Sequence, residues 1–183
     1  MQLHAVDAGT LKLDGGAMFG VVPKTMWQRH IETDTNNRCT WAMRCLLVTE
    51  GDRLVLIDTG MGDKQDPKFF SHFEPGGPTL AESLAQLGAG PEDITDVLLT
   101  HLHFDHCGGA IAREGERLVP AFPKATYWSH QDHWDWASNP NPREKGSFLA
   151  ENFQPLQSAD QVLVLADGEE LLPGLAVRAF HGH

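Results

Sequence analysis

The chain has 183 residues, 41% of them apolar and 21% charged, enough for one ordinary domain with its own core. Its 14 basic residues face 25 acidic ones for a net charge of -11, and no basic run interrupts the excess, so a phosphate backbone would be repelled and nucleic acid is not expected as a partner. No apolar stretch approaches the roughly 20 residues that span a bilayer, so no membrane partner is expected either.

In chain order, MQLHAVDAGT opens without the basic start and apolar run of a signal peptide, and the cytoplasm is the expected compartment. Residues 44–49 (RCLLVT) and 53–57 (RLVLI) are short apolar runs joined by EGD, which predicts a β-hairpin. Asp58, Thr59 and Gly60 close its second strand with turn residues. Residues 61–78 are polar, with Gly and Pro at MGDKQDP and EPGGP, and read as a long loop of the kind that covers a site. Thr79 and Glu82 fit a capping box. Leu80, Leu84 and Leu87 then share one helical face, and Gly88 supplies the stop.

Residues 94–99 (ITDVLL) predict a strand that feeds the stretch THLHFDHCGG. Residues 125–128 (ATYW) predict another, followed by a helix over SHQDHWDWA that Pro140 and Pro142 end. GSFLAENFQPL allows a short helix, and QVLVLA and GLAVRAF read as later strands. No repeat or low-complexity segment occurs, and the alternation of elements predicts a layered α/β fold. Cys39, Cys45 and Cys107 form no CxxC pair, so no disulfide framework is expected.

THLHFDHCGG places His101, His103, Asp105 and His106 within six positions. In an extended segment His101 and His103 point the same way and can grip one ion, while Phe104 takes the opposite face as a core anchor. Asp105 and His106 follow once the chain turns, so the spacing suits two adjacent metals. Imidazole and carboxylate donors favour Zn, Fe, Mn or Co. Only Cys107 lies nearby, which argues against a closed thiolate site and for one that keeps a position open to water. Gly108 and Gly109 imply a crowded turn or a close backbone approach. Met18, Phe19 and Trp27, in a glycine-bounded segment, are candidates to line an apolar pocket. His130 and His133, one helical turn apart, could bind a metal, but read first as surface histidines of a helix face.

THLHFDHCGG resembles the HxHxDH motif of the metallo-β-lactamase fold, and LVLIDTG resembles the strand and turn that carry its aspartate, here Asp58. DGGAMFGVVPKTMW (14–27) and WASNPNPREKGSFLAEN (136–152) are similar to a branch of quorum-quenching lactonases, so the likeness runs from about Asp14 to the last residue. The resemblance implies a four-layer αββα sandwich with a dinuclear metal site at one edge of the sheets. It implies His101, His103 and His183 on one ion, and Asp105 and His106 on the other. Zinc is the expected metal, with Fe, Mn or Co as alternatives. Asp58 would support the turn without binding metal, and His181 would be structural.

The activity implied is that of a metal-dependent hydrolase, similar to N-acyl homoserine lactonases, which opens a lactone or cleaves an ester through a hydroxide shared by two metals. Asp105 is then the candidate to hand a proton to the leaving alkoxide. The expected partner is a small-molecule lactone or ester, and a homodimer is left open. Family members continue past the histidine matched by His183 to a bridging aspartate, a further histidine and the second half of the sandwich. The chain is therefore expected to be a single domain over residues 1–183, incomplete at its C-terminus. Thioester or organophosphate hydrolysis, iron-dependent oxidation, and a non-catalytic metal-binding module are the alternatives. The charge of -11 disfavours a nuclease.

Overall fold

A computed structural model describes residues 1–182, so His183 lies outside the described residues. Strand β1 (Gln2–Asp14) pairs antiparallel with β2 (Arg38–Glu50), and β2 pairs antiparallel with β3 (Arg53–Ile57). From β3 the sheet continues in parallel through β4 (Asp96–Leu98), a strand at Thr126–His130 and a strand at Val162–Leu165. A separate hairpin, β5 (Ile111–Glu114) with β6 (Arg117–Pro120), lies between β4 and the Thr126–His130 strand in the chain. The two later sheet strands are therefore β7 and β8, and the six-stranded order is β1-β2-β3-β4-β7-β8.

The sheet is apolar on both faces, which is why its central strands read as unbroken apolar runs. On one face Leu47, Leu56, Val97, Leu99 and Tyr127 pack under a helical layer. Helices α1 (Gly15–Phe19), α2 (Lys24–Trp27) and α3 (Pro67–Phe73) precede α4 (Leu80–Gln86). After them come α5 (Phe104–Cys107), α6 (Gln131–Ser138) and α7 (Gln154–Ser158). Leu84 of α4, Trp134 of α6 and Leu156 of α7 complete that core. On the other face Val48, Val55 and Leu98 meet Leu171 and Leu172 of a short hairpin, β9 (Glu170–Leu172) with β10 (Leu175–Ala176). The described residues thus hold one six-stranded sheet, its helical layer, the β5–β6 hairpin, and the β9–β10 hairpin on the opposite face.

The predicted hairpin forms, and β2 extends it backwards to Arg38. The capping box forms too: Glu82 N donates to Thr79 Oγ1 at 3.2 Å and Thr79 N to Glu82 Oε2 at 2.8 Å. Leu87 departs from the predicted apolar face, because α4 ends at Gln86 and Leu87 is 43% exposed. Residues 61–78 are not a plain loop. They contain α3, started by Asp66, whose carboxylate accepts from Phe69 N, with Pro67 in the first turn. GLAVRAF contributes only Leu175–Ala176 to a strand.

Arg53 and Asp96 lock β3 to β4 and to the hairpin. Arg53 Nε donates to Asp96 Oδ2 at 3.0 Å, and its Nη1 to Leu171 O at 3.1 Å. Trp128 Nε1 and Thr95 Oγ1 also donate to the Asp96 carboxylate. Burial alone would raise the Asp96 pKa, yet these bonds outweigh it and hold the carboxyl below its ordinary value. Among the described residues, no helix is long and apolar enough to cross a membrane.

Candidate metal centre

The histidine stretch leaves the sheet at the end of β4, and its geometry is set by the turn after β3. Asp58 adopts a left-handed backbone, φ 61°, where aspartate and asparagine are tolerated better than most residues. Its carboxylate is buried and accepts from Thr100 N at 2.9 Å and from Thr100 Oγ1. Asp58 Oδ2 lies 2.8 Å from His106 Nδ1. A carboxylate is acceptor-only when ionised, so this contact places a proton on Nδ1 and leaves Nε2 of His106 with its lone pair. Burial pulls the His106 pKa down, but the hydrogen bond and charge of Asp58, aided by Asp105, carry it above the ordinary histidine value.

The three motif histidines come together. The His101 and His103 rings stand 4.7 Å apart between centroids, and His101 and His106 stand 3.9 Å apart. Asp105 Oδ2 lies 3.7 Å from His106 Nε2. Phe104 faces the core as expected, against Phe69 and Phe73 of α3. Among the described residues no three His, Cys, Asp or Glu side chains already form a metal cage. The donor chemistry nevertheless fits divalent metals of the zinc class: imidazoles and a carboxylate side by side, one ring fixed by a carboxylate behind it. Cys107 does not join them. Burial raises its thiol pKa, and Sγ donates to Leu102 O at 3.3 Å.

The turn is held from behind by the segment after β3. Thr59 N and Thr59 Oγ1 both donate to His106 O, at 2.7 and 2.9 Å, and Gly109 N donates to Gly60 O at 3.0 Å. The buried Lys64 ammonium donates to Gly108 O, and burial pushes its pKa down to about 8. The close backbone approach expected at Gly108 and Gly109 is present: a Cβ on either would run into the carbonyl of Met61 or of Thr59.

Sequence reasoning missed two of these supports. Lys64 sat in the stretch read as loop. His133 was read as a surface residue of α6, but its Nε2 accepts the Leu102 amide at 2.8 Å and its ring lies 6.2 Å from His101. Its spacing from His130 marked a helical face, and nothing in the sequence marks Leu102 N as the partner. His181 is exposed.

A cavity of about 290 Å³ opens beside the turn, lined in part by Leu11, Leu13, Met18, Trp41, Asp105 and His106. Of Met18, Phe19 and Trp27, the three residues expected to line an apolar pocket, Met18 borders this cavity. Trp27 is 3% exposed, packed under Gly15, and Phe19 stacks on it at 4.8 Å between centroids.

Comparison with known proteins places the sequence and the fold in one family. The family model described as the metallo-beta-lactamase superfamily matches residues 44–183. A probable metallo-hydrolase of Mycobacterium bovis is 37% identical over 108 residues, 51% of this chain and 35% of the relative. An N-acyl homoserine lactonase of Agrobacterium fabrum is 27% identical over 143 residues, 73% of this chain and 48% of the relative. The chain thus spans half or less of the length of these curated relatives. A crystal structure of a probable metal-dependent hydrolase from Staphylococcus aureus superposes with a TM-score of 0.85 at 29% identity, over 94% of this chain and 61% of that one. A dizinc quorum-quenching lactonase in complex with a product shares the fold at a TM-score of 0.71 and 23% identity, over 93% of this chain and 60% of that one.

Proposed function

This chain belongs to the metallo-beta-lactamase superfamily, and from that premise we propose that it is a metal-dependent hydrolase that opens a lactone or cleaves an ester. The observation that carries the reading is the placement of Asp105 and His106. Both line the partly apolar cavity, beside His101 and His103, and Asp58 fixes the ring of His106. The lactonases among its relatives support the substrate class.

His101, His103, Asp105 and His106 would hold two divalent ions of the zinc class, with His183 as a further donor. When bound, such ions acidify water and polarise a carbonyl oxygen at neutral pH. The protein's own contribution is positional. Asp58 keeps the Nδ1 proton of His106 in place, so that Nε2 stays a donor of electrons. Leu11, Leu13, Met18 and Trp41 bind an apolar arm and exclude water from the ester.

Asp105 would carry a proton to the leaving alkoxide. Its shuttle role is tested by Asp105→Asn: turnover should fall by at least about 100-fold, the usual contribution of a positioned acid or base. A variant that keeps its metal and full turnover would leave Asp105 no such role.

The reading as a whole is tested by assaying N-acyl homoserine lactones and aryl esters before and after chelation. Turnover that chelator abolishes and zinc restores is the expected result. The absence of chelator-sensitive turnover on every substrate would instead favour a metal-binding module without hydrolase activity.

A further inference from the structure

Behind the cavity at His106 lies a second, larger one of about 550 Å³ on the helical side of the sheet. Met61, Phe70, Leu80, Leu84, Ile111 and Phe122 make much of its wall, which is predominantly apolar. Among the described residues, Met43 is the one that lines both cavities. Gly60 borders the smaller cavity, and its neighbours Thr59 and Met61 border the larger one. The main chain at Thr59 and Gly60 is hydrogen-bonded to the histidine turn.

Met43 is the residue common to both walls, and its side chain can be shortened by substitution. It is 8% exposed. Its Cε lies 3.6 Å from the point a Cβ would occupy on Gly9, a glycine pressed against the Gly76 and Pro78 carbonyls at the larger cavity's edge. The unbranched thioether thus reaches from β2 to Gly9 of β1, the glycine that the loop before α4 covers. Methionine has three rotatable bonds and no polar group to satisfy, so it closes the gap without fixing it rigidly.

We propose that Met43 is a specificity-determining residue that limits the length of the apolar arm a substrate can carry, by closing the His106 cavity off from the larger apolar cavity behind it. The identity of that substrate rests on the ester or lactone reading above. In the parent protein a short acyl arm lies against Leu11, Leu13 and Trp41 and stops at Met43. With the side chain shortened, a longer arm continues past residue 43 and buries its end against Phe70, Leu84 and Phe122.

The test is a series of p-nitrophenyl esters from acetate to dodecanoate, assayed on the parent, Met43→Ala, Met43→Val and Leu80→Ala. Isothermal titration with unreactive decanamide runs alongside. In the parent, kcat/KM should peak at a short acyl chain and fall beyond it. Met43→Ala should move the peak to longer chains, gaining roughly fourfold in KM for each added methylene that becomes buried, with kcat little changed. Met43→Val should move it less, and it stands in for the alanine variant if that fails to fold. Leu80→Ala enlarges the rear cavity without joining the two and should leave the peak where it is. An unchanged chain-length profile in both Met43 variants would overturn the proposal. Should no p-nitrophenyl ester be turned over by any of these proteins, decanamide alone decides the role of Met43, and the hydrolase reading is decided separately by the lactone assay. Binding at least tenfold tighter in the Met43 variants supports it, and equal binding overturns it.

Discussion

Replacing Asp58 with asparagine lowers metal affinity by about 10- to 100-fold while leaving the fold intact, the scale usual for partners that orient a metal-ligating histidine. The reason lies in one proton. Asparagine tolerates the left-handed backbone at this position, φ 61°, and its amide oxygen can still accept from Thr100 N. Its NH₂ group, however, would face His106 Nδ1, where the carboxylate now accepts. A donor there requires Nδ1 to be the lone-pair nitrogen and moves the ring proton to Nε2, the atom nearest Asp105. The electron pair is then turned away from the site. Competition titration with a zinc-sensitive dye measures the affinity, and a thermal midpoint close to the parent's separates this loss from unfolding. Unaltered zinc affinity would show that the Asp58 contact does not orient the ligand.

Alanine at Gly108 destabilises the protein by about 3 kcal/mol, at the upper end of what overpacking usually costs. For a chain of this size that lowers the thermal midpoint by about 6–12 °C. Backbone conformation is not the cause, since φ at Gly108 is -58° and suits any residue. Space is the cause. An added Cβ would lie 2.9 Å from Met61 Cα and nearer still to its carbonyl. Those are main-chain atoms, and the flanking bonds from Thr59 and Gly109 prevent the two segments from separating. Gly146 is the control, because a Cβ there meets nothing within 4 Å, and Gly146→Ala should stay within about 0.5 kcal/mol of the parent. Equal urea midpoints for the two variants would show that the turn is looser than its contacts imply.

What could be read from the sequence was whatever local chemistry dictates. The hairpin of β2 and β3, the Thr79–Glu82 cap and the co-facing His101 and His103 all follow from residues close in the chain. Strand β1 was not legible because its apolar alternation breaks at a bulge, where the register shifts between Asp7 and Thr10 and Gly9 sits at φ 93°. Helix α3 was hidden by the Gly- and Pro-rich residues on either side, although Asp66 before Pro67 is a start signal. Lys64 under Gly108, His133 under Leu102 and Met43 between two cavities are long-range placements, which no periodicity records. Phe19 and Trp27 stack on one another, a placement the sequence does not mark because an aromatic pair can stack on itself as readily as on a ligand.

The most direct test of the metal centre is metal content by plasma mass spectrometry after zinc loading and exhaustive dialysis, for the parent chain and a His101→Ala/His103→Ala variant. The expected result is two zinc ions retained per parent chain and a loss of metal in the folded variant. Equal metal content in the two proteins, or none in the parent, would contradict a centre built on this histidine cluster.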